Sequence, residues 1–102
     1  MNGSILIPEN FTLNGKTYKV VIRDKELSKK GFWGQAFLNR KVIKLCDKFH
    51  GVSLTKEAKE QTFFHELIHM ILDSMGYDKL NEDEDFVDLF AQRLHEYEKS
   101  KQ

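Results

Sequence analysis

The 102-residue chain is poor in several residue types and patterns, and each shortage excludes a class of protein. Its single cysteine, Cys46, cannot form an intramolecular disulfide, which excludes the disulfide framework of small secreted domains. One proline and the lack of repeats or Pro/Gly-rich linkers favour a single domain over residues 1–102. The apolar run at residues 5–7 is too short for a signal peptide or a membrane span. We therefore expect a cytoplasmic protein that has no membrane partner.

Charge is balanced in total but segregated along the chain. The 16 basic and 16 acidic residues give a formal net charge of zero. Residues 16–48 contain ten Lys or Arg against three acidic residues, whereas residues 78–88 contain six carboxylates against one Lys. A basic segment can attract an anionic partner. Because no nucleic-acid-binding motif accompanies it, we interpret the basic residues as solvated, and nucleic acid is not the expected partner.

The first half of the chain predicts a hairpin near its start. Residues 11–13 and 17–23 have the composition of strands. Asn14 and Gly15 between them suit the positive φ angles of a two-residue type I′ turn.

A second hairpin is predicted from residues 35–38 and 41–46, the latter alternating between two faces with the period of a strand. We expect residues 31–34 to form a loop beside it. Cys46 is expected to be a small apolar residue in or just after the strand.

The second half of the chain has the periodicity of two helices. Residues 55–75 carry apolar side chains at three- and four-residue intervals, with Ser53 or Thr55 as N-cap and Gly76 closing the end. Another helix is expected over residues 82–99, with a buried stripe of Phe86, Leu89, Phe90, Leu94 and Tyr97. This order predicts an α+β fold with a small, antiparallel-rich sheet of three to four strands, in which a strand-rich part (1–50) precedes helical segments at 53–76 and 81–99.

The first of these helices carries a His-Glu-x-x-His motif at residues 65–69. Residues four apart share a helix face, so His65 and His69 can bind one zinc ion, while Glu66 is placed to act as general base toward water. A random arrangement of this composition would produce the motif with a probability of roughly one per cent. The other two histidines, His50 and His95, lack such spacing, and we expect structural roles for them.

Catalytic zinc normally takes a third protein ligand. A metzincin would place Gly and His where this chain has Leu72 and Met75, so that arrangement is excluded. Residues 76–78 resemble part of the pattern of rRNA-maturation endonucleases, but their third histidine is Lys79 here. Four carboxylates at the start of the second helix are left as candidates: Glu82, Asp83, Glu84 and Asp85.

Residues 62–69 and the spacing Glu84-x-x-x-Asp88-x-Phe-Ala-x-x-Leu94 resemble the active helix and the following signature of ImmA/IrrE-like metallopeptidases. The resemblance implies an intracellular zinc peptidase of the gluzincin type, minimal and zincin-like in fold, acting on a protein or peptide such as a phage repressor. It implies that His65, His69 and Glu84 bind zinc, that Glu66 is the catalytic base and that Asp88 orients a ligand imidazole. An extended substrate would pair with an edge strand over residues 41–46.

Three points stay open on the sequence alone. A helical wheel places Asp83 and Glu82 nearer the centre of the predicted apolar stripe than Glu84, and Asn81 with Glu84 could instead form a cap. Tyr77 is a weak candidate for stabilising an oxyanion. The alternative function is a non-catalytic, zinc-containing binding or regulatory module, which an intact Glu66 disfavours.

Overall fold

The computed structural model describes residues 7–101, which contain six strands and four helices. The α+β fold expected from the sequence is confirmed. The elements follow one another in this order: β1 (Asn10–Leu13), β2 (Lys16–Ile22), α1 (Asp24–Lys30), β3 (Gly34–Phe37), β4 (Val42–Leu45), β5 (Lys48–Phe49), β6 (Val52–Ser53), α2 (Lys56–Met75), α3 (Asp78–Asn81) and α4 (Glu84–Ser100).

Four strands form a mixed sheet in the order β1-β2-β4-β3. Both predicted hairpins are present: β1 pairs antiparallel with β2, and β3 pairs antiparallel with β4. The turn of the first hairpin has φ angles of 52° at Asn14 and 76° at Gly15, as a type I′ turn requires. The strands β5 and β6 form a separate small hairpin.

The strand β4 is central, which corrects the prediction that residues 41–46 form an edge. It pairs with β3 on one side and runs parallel to β2 on the other. The helix α1, which was not predicted, carries the chain from β2 to β3 and makes this parallel pairing possible. Lys44 of β4 pairs with Glu26 of α1 at 2.7 Å. The free edge beside α2 therefore belongs to β3.

The long helix α2 starts and ends as the sequence predicts. Thr55 is its N-cap, with its hydroxyl accepting a hydrogen bond from the Ala58 amide at 3.0 Å. Gly76 closes it in the left-handed conformation, with φ of 77°. Its apolar face packs into the core formed with the sheet and α4 and includes Phe63, Phe64, Ile68, Met70 and Leu72.

The buried face of α4 differs from the predicted one. Leu89, Phe90 and Tyr97 are exposed, and only Phe86 and Leu94 of the predicted stripe pack partly against the core. The buried residues are instead Val87, Ala91 and His95. The small side chain of Ala91 allows α4 to lie close to α2.

Cys46 is buried, as expected for a small apolar residue at the end of β4. Burial raises the pKa of its thiol, and the negative charge of Asp24 adds to the effect. Within residues 7–101, no helix has both the length and the apolar character needed to cross a membrane.

Candidate metal centre

The helix α2 presents His65 and His69 side by side on the surface that faces α4. Their ring centroids are 5.0 Å apart, as expected for residues one helical turn apart. Both side chains are partly buried, with exposed fractions of 25% and 15%. Both rings therefore remain accessible to a small ligand from one side.

The first turn of α4 brings Glu84 to both rings. One of its carboxylate oxygens, Oε1, lies 3.4 Å from His65 Nε2 and 3.5 Å from His69 Nε2. Two ligands of a tetrahedral zinc ion are about 3.3 Å apart when each lies 2.0–2.1 Å from the metal. These separations exceed those of ordinary N–H···O hydrogen bonds. The donor atoms are thus spaced to share one ion.

A polar side chain stands beside the other nitrogen of each ring. His65 Nδ1 lies 3.4 Å from Asp88 Oδ1, and His69 Nδ1 lies 2.6 Å from Asn81 Oδ1. Asn81 also donates from Nδ2 to the carbonyl oxygen of His69 at 3.1 Å. An Nδ1–H group that donates to such an oxygen leaves Nε2 with a free lone pair, which is the tautomer that binds a metal.

The residues that precede Glu84 in the sequence do not lie beside the two histidine Nε2 atoms as Glu84 does, or they contact a different atom. Asp83 is the N-cap of α4, and its carboxylate accepts a hydrogen bond from the Phe86 amide at 3.1 Å. Glu82 follows the short helix α3 as its C-cap and is exposed. Asn81, considered as a cap from the sequence, instead contacts His69. No local sequence signal indicated that contact, because it depends on α3 folding back toward α2.

Glu66 lies beside the two histidines and is 9% exposed. Burial raises the pKa of its carboxyl, and the negative charge of Glu84 acts in the same direction, while the two imidazoles and a hydrogen bond from the Ala36 amide oppose the shift. The carboxyl therefore holds a proton more readily than an exposed glutamate does.

The strand β3 lies close to this glutamate because residue 34 is glycine. A Cβ atom at Gly34 would be 2.5 Å from Thr62 Cγ2 and 3.3 Å from Glu66 Cγ. Thr62 cannot easily turn away, since its hydroxyl donates to the Ala58 carbonyl at 2.7 Å. The glycine allows the free edge of the sheet to lie alongside the two histidines and Glu66.

A second group of histidine and carboxylate side chains lies farther along the same two helices. His95 Nε2 is 2.8 Å from Glu60 Oε1, and its Nδ1 is 3.1 Å from Gln61 Oε1. His95 and Glu60 are only 6% and 2% exposed. Glu57, the second carboxylate near this ring, is hydrogen-bonded to Lys99. The contacts are those of a buried hydrogen-bonded pair that ties α4 to α2.

The two remaining residues considered from the sequence lie apart from the candidate metal-binding group. His50 is exposed and occupies a turn with φ of 51°. Tyr77 is 55% exposed and lines a shallow depression with Gly76 and residues 78–80. That depression contains no member of the group formed by His65, His69 and Glu84.

Comparison with known proteins gives no match: no family model, no curated protein and no solved structure is significantly similar to the chain. Functional inference therefore rests on the residues of this site and on their geometry. Those residues are two imidazoles and a carboxylate with converging donor atoms, together with a buried glutamate.

Proposed function

We propose that this protein is a zinc-dependent peptidase in which His65, His69 and Glu84 hold the metal and Glu66 is the general base. The observation that carries the proposal is the position of Glu84 Oε1, 3.4 and 3.5 Å from the Nε2 atoms of the two histidines. Two nitrogen donors and one oxygen donor match the ligand sets of catalytic zinc sites.

The surroundings of the three donors suit a catalytic site better than a structural one. The Glu84 side chain is 68% exposed, so the group is open to solvent on one side. A structural zinc site usually has four protein ligands and no open position. A bound zinc ion would supply Lewis acidity toward the carbonyl group of the scissile bond.

Glu66 has the chemistry needed to move the proton of the reaction. It accepts a proton from the attacking water and delivers it to the amine that leaves when the peptide bond breaks. Burial raises the pKa of its carboxyl toward the range in which one group can both accept and deliver a proton.

The free edge of β3 is where we propose that the substrate backbone binds. Within residues 7–101, Gly34–Phe37 pair only with β4, so the backbone groups on the other side of β3, apart from the Ala36 amide near Glu66, are available to an extended peptide. An added strand gains main-chain hydrogen bonds without requiring a fixed sequence. This position would hold a peptide bond beside Glu66.

The resemblance to ImmA/IrrE-like enzymes extends the proposal to the setting of the reaction. The protein would act in the cytoplasm on a protein substrate such as the repressor of a mobile element. Asp88 would orient His65, because Asp88 Oδ1 is the polar atom beside His65 Nδ1, at 3.4 Å.

The proposal is tested by measuring peptide cleavage as a function of metal. The zinc-loaded protein should cleave members of a mixed peptide library, a chelator should stop the reaction and added zinc should restore it. Protein that binds one zinc ion per chain but cleaves no peptide would contradict the proposal and favour the non-catalytic binding module.

A further inference from the structure

The loop between α1 and β3 holds two aromatic side chains at the surface. Phe32 and Trp33 are each 44% exposed. The loop backbone is fixed, because the Phe32 amide donates to the Leu27 carbonyl at 3.0 Å and the Trp33 carbonyl accepts from the Cys46 amide at 2.9 Å. The two side chains therefore present adjacent apolar surface to solvent at a fixed place.

Phe32 lies at the border of two depressions that meet at the proposed catalytic residues. One has a volume of about 450 Å³ and is lined also by Trp33 and Thr62. The other has a volume of about 350 Å³ and is lined also by Leu38 and Glu84. His65 and Glu66 line both of them. A peptide bound along β3 would therefore have side chains near Phe32 on either side of the bond to be cleaved.

The charge of the two depressions disfavours acidic side chains. No Lys or Arg among residues 7–101 lines either of them, whereas Glu66, Glu84 and Asp88 do. The basic side chains near β3 lie instead around the ring of Phe37, where Lys44 Nζ is 4.5 Å from the ring centroid. An acidic substrate side chain would thus meet negative charge, while an apolar one could cover the exposed ring of Phe32.

We propose that Phe32 is a specificity-determining residue that selects substrates with a large apolar side chain, such as Phe, Leu or Met, next to the scissile bond. The inference rests on the proposed peptidase function and names its substrate class. Apolar contacts of this kind discriminate between side chains by about 10- to 200-fold in kcat/KM.

The test compares the zinc-loaded wild type with Phe32→Ala on matched peptides that carry Phe, Leu, Ala, Asp or Lys beside the scissile bond. The wild type should prefer Phe and Leu. Phe32→Ala should lower kcat/KM about 10- to 200-fold for those two peptides and change it little for the Ala peptide. Phe32→Leu should restore part of the preference. Zinc affinity should be unchanged in both variants, which separates this effect from damage to the metal site.

Tyr97→Ala is the matched control, because Tyr97 is also an exposed aromatic residue, at 58%, and lines neither depression. It should behave as the wild type does. A preference that survives in Phe32→Ala, or a wild-type preference for Lys or Asp, would overturn the inference and leave the peptidase proposal intact. Absence of any cleavage by the zinc-loaded wild type would instead overturn both.

Discussion

The two ends of the interface between α2 and α4 contain similar side chains in different arrangements. At one end, Glu84 Oε1 lies 3.4 and 3.5 Å from the Nε2 atoms of His65 and His69. At the other end, His95 Nε2 lies 2.8 Å from Glu60 Oε1, within hydrogen-bond distance. Histidine and glutamate from two helices thus form an open set of donors in one place and a closed pair in the other.

The two ends of the interface also differ in their exposure to solvent. Glu84 is 68% exposed, whereas the Glu60 side chain is 3% exposed. A hydrogen bond joins Glu57 to Lys99, so that carboxylate already has a cation beside it. Residue type alone does not distinguish a metal site from a structural pair; the spacing of the donor atoms and their exposure do.

The largest expected effect is on turnover, and it distinguishes Glu66 from Glu60, the two buried glutamates of α2. Glu66→Gln should lower turnover by about 10²- to 10⁴-fold, because it removes the general base while leaving both imidazoles in place. Glu60→Gln should retain cleavage, since Glu60 contacts His95 and not the metal-binding group. Steady-state kinetics of the two zinc-loaded variants measures the difference. Glu66→Gln with more than half of wild-type activity would contradict the assigned role.

Loss of His95 should mainly reduce stability. His95→Ala leaves the carboxylate of Glu60 buried without its partner, and breaking such a buried pair costs about 3–5 kcal/mol in the free energy of unfolding. His50→Ala, which removes an exposed histidine, is the control and should change stability little. Urea denaturation of the metal-free proteins gives both values. Equal stability of the two variants would show that the pair does not hold the helices together.

For the two histidines of the proposed zinc site, we expect stability to depend on bound metal. His65→Ala and His69→Ala should lose zinc and the stability that it confers, which is about 2.7 kcal/mol when free zinc is 100 times its Kd. His95→Gln should keep both, because its side chain can still form hydrogen bonds to the neighbouring residues. The melting temperature with and without a chelator distinguishes them. A chelator that removes zinc from the wild type without lowering its melting temperature would contradict the coupling.

The smallest expected effects are on zinc affinity and stability, and they distinguish Glu84 from its neighbour Asp83. Asp83→Ala removes a helix cap and should cost about 1 kcal/mol in stability without changing the Kd for zinc. Glu84→Gln should weaken zinc binding while leaving the stability of the metal-free protein nearly unchanged. Glu82→Gln serves as the control for charge. The assignment of the third ligand would be wrong if Glu84→Gln bound zinc as tightly as the wild type while Asp83→Ala did not.

The parts of the fold that depend on local patterns could be predicted from the sequence. Asn14 and Gly15 specify a turn, Thr55 and Gly76 bound a long helix, and the four-residue spacing of His65 and His69 places both on one face of it. Each of these features depends on residues close together in the chain, so neighbouring sequence is sufficient to indicate it.

The parts that depend on distant contacts could not be predicted in this way. The central position of β4 follows from its parallel pairing with β2, about twenty residues earlier. Asn81 reaches His69 only because α3 folds back toward α2. The buried face of α4 was predicted from its largest apolar side chains, whereas close packing against α2 selects Ala91 and pairing with Glu60 selects His95.

One of the missed elements did carry a local signal. The helix α1 has Asp24 and Glu26 in its first turn, Lys29 and Lys30 in its last, and Gly31 in the left-handed conformation after it. Charges placed in this way complement the helix dipole, and glycine is the usual residue at that final position. The strand-like composition of residues 17–23 led to the prediction that the strand extends through Arg23, whereas β2 ends at Ile22.

The most direct test of the central claim is X-ray absorption spectroscopy at the zinc edge on protein purified without added metal, combined with elemental analysis. We expect about one zinc ion per chain, bound by two imidazole nitrogens and by oxygen donors, and little or no bound zinc in His69→Ala. Absence of zinc from protein that has also been offered the metal, or a spectrum that shows sulfur from Cys46 or a single imidazole in the wild type, would contradict the claim.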